Sequence, residues 1–370
     1  MDREVLIVGG GIAGLAAASA LQQRAIPARV LERSGRSPDG GLGLNLPGNA
    51  ILALQQLGLG EDLPALGIPV RRREYRDGRG RLLFAVDEEV FWGSGAQPRC
   101  VLRSALHAAL RRLVPTSSVT LASEVEQLRE VGDRVEVVTA GGPHGADLLV
   151  GADGVHSLTR TMVSGDRAAR PALLAKDSWR FVVRNPGIEC WTAWTGPPGT
   201  VVLIPVTADK VYGWVSRNGG GGLFSETAAA FATFPPVVRN TLSTAPNETE
   251  PLWSPLEEIR PAAWTEGRIV LIGDAAHATA PVWAQGAALA LEDALVLADL
   301  LTSTDWRLAG REFRHRRQAR IEHVQAMTDR FARLTTLPAW LRSILVSRFG
   351  ERSYRATYAP LRTPVVQRKV

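Results

Sequence analysis

The sequence is short of cysteine and has no long uninterrupted apolar segment. Its two cysteines, Cys100 and Cys190, are too few for a disulfide framework or a cysteine zinc site, and no metal site is predicted. Glycines interrupt the apolar run Val5–Leu21, and no other stretch reaches the roughly 20 apolar residues that a membrane-spanning helix requires. We therefore expect no integral membrane segment and a reducing, cytoplasmic location.

Lysine is almost absent, although the chain is basic. The formal net charge is +6, and only three of the 43 basic residues are lysine. The arginines are spread along the chain rather than gathered in one block, which argues against a nucleic-acid-binding arm. Their excess is consistent with attraction of an anionic cofactor or substrate, and equally with a GC-rich genome.

The length and composition are those of a globular protein with more than one domain. The chain has 370 residues, of which 45% are hydrophobic and 22% charged. This length is roughly two to three times that of a typical domain. Two packed units are therefore the expectation.

A nucleotide-binding pattern lies near the start of the sequence. The apolar run Val5–Val8 predicts a buried strand, Ala13–Arg24 predicts a helix, and the segment Gly9–Gly14 between them has the pattern G-x-G-x-x-G. A second predicted strand, Ala28–Leu31, is followed by Glu32. Such glycines let the backbone approach a pyrophosphate at a helix N-terminus, and a carboxylate at the second strand accepts hydrogen bonds from a ribose. Dinucleotide binding is predicted, and both an NAD-dependent dehydrogenase and a flavoprotein remain open from this motif alone.

Two later segments add acidic residues at the ends of predicted strands. The strand Leu148–Gly151 leads to Asp153-Gly154, and the strand Arg268–Ile272 leads to Gly273-Asp274. A carboxylate in this place binds ribose hydroxyls at the carboxyl edge of a parallel sheet. A helix that begins near Gln285 offers unpaired N–H groups to a flavin carbonyl or a phosphate.

Together these segments resemble the single-component FAD-dependent aromatic hydroxylases, also called group A flavoprotein monooxygenases. The resemblance covers nearly the whole chain. It rests on four segments: Gly9–Gly14 with Glu32-Arg33; Gly41–Leu44 leading to Asn49-Ala50; Gly151–Gly154; and Gly273–His277 with Pro281 and Gln285-Gly286.

The resemblance implies which residues hold FAD. Gly9, Gly11 and Gly14 would approach the pyrophosphate, and Glu32 would bind the adenosine ribose. Asp274 would bind the ribityl chain or the diphosphate. The full implied set is Gly9, Gly11, Ala13, Gly14, Glu32, Arg33, Gly43, Arg103, Val125, Asp153, Gly154, Asp274, Pro281, Gln285, Gly286, Ala287 and Ala288.

The resemblance also implies a reaction. NADPH or NADH would bind transiently and reduce FAD, O₂ would add at the flavin C4a position, and the resulting hydroperoxyflavin would transfer one oxygen atom to an aromatic or heteroaromatic substrate. Because the flavin carries the oxygen, no protein nucleophile is required, and His277 is assigned a structural role.

The sequence departs from the family pattern beside the expected flavin. The family has glycine before Gln-Gly, whereas this chain has Ala284, preceded by Trp283. Alanine favours ordinary helical dihedral angles, whereas glycine also adopts left-handed ones. The difference therefore bears on the backbone conformation beside the expected flavin. Trp283 is interpreted as pocket wall, with simple packing as the alternative.

Short β-type runs in the middle of the chain predict an antiparallel sheet. They are Trp179–Arg184, Glu189–Thr195, Thr200–Val206 and Lys210–Ser216. Alternation places Trp191, Ala193 and Thr195 on one face, with Trp194 on the other. The many tryptophans suit either an aromatic pocket or a two-layer core. The candidate substrate-pocket residues are Arg180, Tyr212, Trp214, Pro281 and Trp283.

Two arginine-rich segments are predicted to be solvated. Arg71–Arg73 precedes two predicted strands, and Arg314, Arg316, Arg317 and Arg320 lie on a predicted helix. A solvent-exposed face is the usual position for such runs.

The predicted fold is α/β, with a Rossmann-like FAD-binding domain, an inserted antiparallel-sheet substrate domain of α+β type and C-terminal helices. The expected boundaries are 1–70, 98–170 and 262–330 for the FAD domain, 71–97 and 171–261 for the substrate domain, and 331–370 for the helical segment. A monomer or homodimer is expected. Three alternatives stay open: a reductase or dehydrogenase of the same fold, a non-catalytic FAD-binding partner in a biosynthetic assembly, and a flavin-dependent halogenase.

Overall fold

A computed structural model of the chain describes residues 3–35, 42–164, 172–175, 178–219, 222–260, 263–335, 337 and 339–367. The strands are β1 Val5–Val8, β2 Ala28–Leu31, β3 Gly43–Leu46, β4 Ile68–Pro69, β5 Arg72–Asp77, β6 Leu82–Asp87, β7 Arg99–Leu102, β8 Val119–Thr120, β9 Val125–Val131, β10 Arg134–Thr139, β11 Gly142–Ala146, β12 Leu148–Gly151, β13 Ala172–Ala175, β14 Ser178–Arg184, β15 Trp191–Gly196, β16 Gly199–Pro205, β17 Lys210–Arg217, β18 Leu252–Trp253, β19 Leu256–Glu258, β20 Thr265–Glu266 and β21 Ile269–Leu271. The α-helices are α1 Ile12–Gln22, α2 Gly48–Leu54, α3 Glu88–Trp92, α4 Arg103–Arg112, α5 Leu158–Ser164, α6 Phe224–Ala230, α7 Pro236–Glu248, α8 Asp274–His277, α9 Gly286–Ser303, α10 Ala309–Thr335 and α11 Ala339–Tyr358.

A mostly parallel six-stranded sheet carries the nucleotide-binding motifs. Its strand order is β20-β21-β12-β1-β2-β8, and only β20 at one edge runs antiparallel to its neighbour. Every residue of β1 and β12 is buried, because helices cover both faces of a parallel sheet. The three motif loops follow β1, β12 and β21, so they meet at the same carboxyl edge, as the sequence predicts.

A second, larger sheet lies against this unit. It has seven strands in the order β18-β14-β17-β16-β15-β5-β6, and all neighbouring pairs are antiparallel except β5 and β15. The four strands predicted in the middle of the chain are confirmed as β14 to β17, each within two residues of its predicted ends. One face of this sheet packs on α6 and α7 through an apolar cluster that includes Trp194, Phe231 and Leu242.

The predicted fold class is confirmed, and the exact domain limits stay a prediction. Strands β5 and β6 join β14 to β18 in one sheet, although about 90 residues separate them in sequence. The limits near residues 170 and 261 fall at segments outside the described residues, as does Gly41 of the second motif segment. Helix α10 is continuous across residue 330.

The prediction that both arginine-rich segments are solvated is wrong for three residues. Arg73 is 2% exposed and Arg317 is 0% exposed, while Arg320 is 14% exposed. On α10, Arg317 follows Phe313 by four residues and precedes Ile321 by four, so it lies on the stripe that faces the core. Burial of these charges requires acidic partners nearby, which other parts of the chain supply.

Candidate active site

A cavity of about 1950 Å³ lies between the carboxyl edge of the parallel sheet and the seven-stranded sheet. The N-terminal residues of both α1 and α9 line it, as do Asp274 and Arg103. On the side of the second sheet the lining combines aromatic and aliphatic residues with several arginines, among them Arg73, Arg76 and Arg180. The cavity therefore joins a floor of helix N-termini and polar groups to a ceiling of apolar and basic side chains.

The glycine loop after β1 has the geometry that the sequence predicts. Gly9 has φ of +106°, and a Cβ atom there would lie 2.5 Å from the carbonyl oxygen of Ala152. A Cβ atom on Gly14 would lie 1.9 Å from the carbonyl oxygen of Gly9, so α1 packs directly on the loop. Gly11 has open space beside it and begins the uncapped end of α1, with its N–H groups toward the cavity.

Glu32 lies beside this loop, immediately after β2. Its Oε2 accepts a hydrogen bond from the backbone N–H of Gly10 at 2.6 Å, and its Oε1 accepts one from Ser34 at 2.8 Å. Each carboxylate oxygen retains capacity for a further donor. The position suits a ribose whose phosphates lie at the start of α1.

Asp274 and the start of α9 face each other across the cavity floor. A Cβ atom on Gly286 would lie 3.6 Å from Oδ1 of Asp274, and the first turn of α9 contains no acidic residue. The Asp274 side chain is exposed to the cavity, and protein forms the cavity walls around it. These walls limit its contact with bulk water and raise the pKa of this carboxyl above its ordinary value, although His277 and Arg103 act to lower it.

Behind Asp274 lies a buried ionic network that sequence reasoning missed. Asp293 is 0% exposed and accepts hydrogen bonds from the N–H of Gly273 at 2.8 Å, from Nε2 of His277 at 2.6 Å and from Nε of Arg317 at 2.6 Å. Burial alone would raise the pKa of Asp293, but the charges of His277 and Arg317 bring it below its ordinary value. The network holds the Gly273-Asp274 turn, and it gives His277 the structural role that the sequence predicts.

Asp153 also stabilises the backbone of the segment after β12. Its carboxylate accepts hydrogen bonds from the hydroxyl of Ser157 at 2.5 Å and from the N–H of Thr159 at 2.9 Å. Arg160 then donates to the carbonyl oxygen of Ala275 at 2.8 Å. The segment after β12 is thus tied to the segment after β21, while Gly154 lines the cavity with φ of +84°.

Several residues implied to contact FAD do not present their side chains to the cavity. Gln285 is 0% exposed and exchanges hydrogen bonds with Asn49 of α2 at 3.0 and 3.3 Å. Ala288 and Val125 are buried in apolar clusters, and Arg33 is exposed at the surface. By contrast, Gly11, Ala13, Gly43, Arg103, Gly154, Asp274, Pro281, Gly286 and Ala287 all line the cavity.

One face of the seven-stranded sheet forms the ceiling, and all five candidate substrate-pocket residues line the cavity. The predicted alternation is confirmed, because Trp191, Ala193 and Thr195 line the cavity whereas Trp194 packs on the other face. Tyr212 lies against Gly43, where a Cβ atom would lie 2.3 Å from the Tyr212 ring. The six tryptophans between Trp179 and Trp264 divide in this way between cavity lining and core packing.

Ala284 has the left-handed conformation, with φ of +53° and ψ of +33°. It ends the 3₁₀ turn Pro281–Trp283, and the backbone oxygen of Trp283 accepts a hydrogen bond from the hydroxyl of Tyr358 at 2.8 Å. A left-handed conformation costs an alanine about 1–2 kcal/mol relative to glycine. The chain therefore holds an alanine in a conformation that glycine adopts readily.

We expect Ala284→Gly to raise the free energy of unfolding by about 0.5–1 kcal/mol, since relief of the left-handed strain exceeds the added freedom of glycine in the unfolded chain. Chemical denaturation measures the change. Ala229→Gly, at an exposed helical position in α6, is the matched control and should lose about 0.5–1 kcal/mol. Destabilisation of similar size by both variants would contradict the conformational explanation.

The described residues fit FAD. Two uncapped helix N-termini open into one cavity, one beside a glycine loop and the other beside Asp274. The cavity has room at Gly11 and Gly154, where an added Cβ atom would meet nothing within 4 Å. An extended molecule with a central diphosphate and a flat ring at one end matches this arrangement.

The fold and site define the class of FAD-dependent monooxygenases, and comparisons with known proteins agree. The model of the FAD binding domain family matches residues 2–312. The chain is 31% identical to 3-amino-4-hydroxybenzoate 2-monooxygenase of Streptomyces cremeus, over 91% of this chain and 89% of the relative. It is also 31% identical to 2-heptyl-3-hydroxy-4(1H)-quinolone synthase of Pseudomonas aeruginosa, over 98% of both chains.

A solved structure gives the same result. The crystal structure of Klebsiella pneumoniae HpxO with FAD and uric acid superposes with a TM-score of 0.79 at 27% identity, covering 97% of this chain and 92% of that one. The chain therefore belongs to the FAD binding domain family and is an FAD-dependent monooxygenase. Within the described residues, no helix combines the length and apolar character needed to cross a membrane, and no cluster of His, Cys, Asp or Glu could hold a metal ion.

Proposed function

We propose that this enzyme consumes NADPH or NADH to insert one oxygen atom of O₂ into an aromatic or heteroaromatic small molecule. The observation that carries the proposal is that one cavity brings Asp274, Arg103 and the starts of α1 and α9 opposite a sheet surface rich in aromatic residues. The relatives named above act on ring compounds, which supports the same substrate class.

The floor residues have the roles of binding and orientation. The N–H groups at the start of α1 would neutralise the diphosphate, Glu32 would accept hydrogen bonds from the adenosine ribose, and Asp274 would accept them from the ribityl chain. The start of α9, at Gly286 and Ala287, would place its N–H groups at the flavin edge. The chemistry that FAD supplies when bound is acceptance of electrons from NAD(P)H and activation of O₂.

The ceiling residues exclude water and orient the substrate ring. Trp214 donates a hydrogen bond from its ring N–H to Ser178 at 2.9 Å, which fixes the ring on the sheet. Arg180 and Tyr212 are two of the polar groups on this face, and the positive charge of Arg180 acts on both Tyr212 and Asp274. They would orient a substrate above the floor, while Trp283 closes the side.

Three further proposals concern organisation. The parallel-sheet unit would be the FAD domain and the seven-stranded sheet with α6 and α7 the substrate domain, with the limits that the sequence predicts. Cys100 and Cys190 are both free thiols, which supports a cytoplasmic location. The enzyme would act as a monomer or homodimer.

The test is NAD(P)H oxidation by FAD-loaded protein with a panel of aromatic and heteroaromatic compounds, with products analysed by mass spectrometry. We expect at least one compound to stimulate oxidation and to gain one oxygen atom derived from labelled O₂. Stimulation without oxygen gain would identify a reductase or dehydrogenase instead, or uncoupled turnover. An FAD-loaded protein that oxidises no NAD(P)H with any compound would favour the non-catalytic partner.

A further inference from the structure

The end of helix α11 is hydrogen-bonded to the turn that precedes α9. The hydroxyl of Tyr358 donates to the backbone oxygen of Trp283 at 2.8 Å, and 75 residues separate the two in sequence. Tyr358 is 1% exposed and lies behind the cavity wall, which Trp283 and Ala284 form in part. The contact therefore supports the wall of the cavity from the C-terminal part of the chain.

The surroundings of Tyr358 fix the direction of its hydroxyl. Burial raises the pKa of Tyr358, so the hydroxyl stays protonated, and the Arg73 side chain lies within hydrogen-bond reach of it. Arginine has donors only, so Arg73 donates to the hydroxyl oxygen and the hydroxyl proton is directed to the backbone oxygen of Trp283. Arg73 is itself held by its buried ion pair with Glu88. The hydroxyl of Tyr358 is thus a fixed donor.

This donor holds a single peptide group, the one that joins Trp283 to Ala284. Its oxygen accepts from Tyr358, and its N–H donates to the backbone oxygen of Pro281 at 3.0 Å. Its orientation sets φ of Ala284 at +53°, in the left-handed region. If the peptide plane turned, ψ of Trp283 and φ of Ala284 would change together, and the alanine could leave a conformation that it disfavours. The hydroxyl of Tyr358 opposes that relaxation.

The conformation of Ala284 decides where the first N–H groups of α9 point. Gln285 and Gly286 follow it directly, and no side chain caps the start of this helix. The side chain of Gln285 is anchored by Asn49, so the helix has a support separate from that of the turn. Gly286 lines the cavity. A change of backbone conformation at Ala284 would therefore redirect the N–H groups that begin α9.

We propose that Tyr358 is a positioning residue for the flavin: its hydroxyl holds the Trp283–Ala284 peptide so that the start of α9 presents its N–H groups to the flavin edge. The inference rests on the proposed function, which places the flavin edge at Gly286 and Ala287. N–H groups at a helix N-terminus favour negative charge, and reduction adds electrons to the flavin ring. The hydrogen bond from Tyr358 therefore favours binding of reduced FAD over oxidised FAD.

The test variant is Tyr358→Phe, which removes the hydroxyl and keeps the ring packed against Trp92 and Trp283. The reduction potential of bound FAD is measured against a reference dye, without substrate or NAD(P)H. We expect the affinity for reduced FAD to fall roughly tenfold relative to that for oxidised FAD, which lowers the potential by about 30 mV for a two-electron couple. A residue that acted on stability alone would lower the melting temperature and leave the potential unchanged.

Two further variants assign the effect to the turn. Ala284→Gly should restore the potential of the Tyr358→Phe protein, because glycine adopts the left-handed conformation without the strain that the hydroxyl opposes, and by itself it should keep the wild-type potential. Tyr354→Phe is the matched control, since this tyrosine lies one turn earlier on α11 and its hydroxyl donates to Glu88 at 2.8 and 2.7 Å. The control loses a buried hydrogen bond but not the one to Trp283, so its potential should equal that of the wild-type protein.

An unchanged potential in Tyr358→Phe would overturn the proposal. An equal shift in Tyr354→Phe, or a shift that Ala284→Gly does not reverse, would do the same. If Tyr358→Phe does not fold, the double variant with Ala284→Gly decides: a folded protein with the wild-type potential supports the proposal, and any other result overturns it.

The proposed function is assayed separately, as NAD(P)H oxidation and oxygen transfer by the wild-type protein. If the wild-type protein oxygenates a ring compound while Tyr358→Phe keeps its potential, this inference alone fails. If the potential shifts as expected but the wild-type protein oxygenates no compound, the proposed function alone fails.

Discussion

Asp293→Ala is expected to lower the free energy of unfolding by about 3–5 kcal/mol, the usual effect of breaking a buried ion pair. Arg317 is 0% exposed and, among the described residues, would keep Glu292, at 3.0 Å, as its acidic partner. The N–H of Gly273 and the ring of His277 would lose their acceptor at the same time. Chemical denaturation of the purified protein measures the loss.

The same two helices provide a matched control. Asp299 of α9 pairs with Arg316 of α10 at 2.6 Å, but both side chains are partly exposed. Asp299→Ala should therefore cost less than about 1 kcal/mol, because surface ion pairs contribute little. Losses of equal size for the two aspartates would show that burial of the Asp293 network does not matter.

Asp274→Asn is expected to weaken FAD binding by roughly 10–100-fold, the effect of losing a hydrogen bond to a charged group. Its effect on the apoprotein should have the opposite sign. A carboxyl whose pKa is raised on folding is destabilising wherever it is ionised, so removal of its charge should leave the apoprotein as stable as before or more stable at neutral pH. A merely structural role for Asp274 predicts loss of stability instead.

Two properties are measured for Asp274→Asn: the amount of FAD retained and the melting temperature of the apoprotein. The same measurements are made on Glu32→Ala and on Asp209→Asn. Glu32→Ala should lose FAD to a similar degree, whereas Asp209, at an exposed turn before β17, should affect neither property. If folded Asp274→Asn and Glu32→Ala proteins kept their full yellow FAD content, the assignment of the FAD site would be wrong.

The local sequence pattern was sufficient to predict the motif loops. Gly9 and Gly14 are needed because no side chain fits between the first loop, α1 and Ala152, and that requirement appears in sequence as a fixed spacing. The strands β14 to β17 were predictable for a similar reason, since alternation assigns each residue a face before the partner strands are known. Trp191 and Trp194 accordingly lie on opposite faces of the sheet.

The sequence showed that Ala284 departs from the family pattern, but it did not show which backbone conformation Ala284 adopts. The left-handed conformation is imposed by the turn between Pro281 and α9, while Tyr358 holds the backbone of Trp283 from the other end of the chain. A helix-favouring residue in this place is maintained by contacts that local propensity does not describe.

The sequence by itself determined the fold class and the edge of the sheet where the motif loops meet, because these depend on spacing within short segments, while the cofactor followed from the resemblance to a known family. Only the tertiary structure decided which charges are buried. Arg73 finds Glu88 across a β-hairpin and Tyr354 from α11, while Arg317 finds Asp293 from α9. Each of these arginines appears in sequence as part of a basic run, and burial depends on segments that meet only when the chain folds.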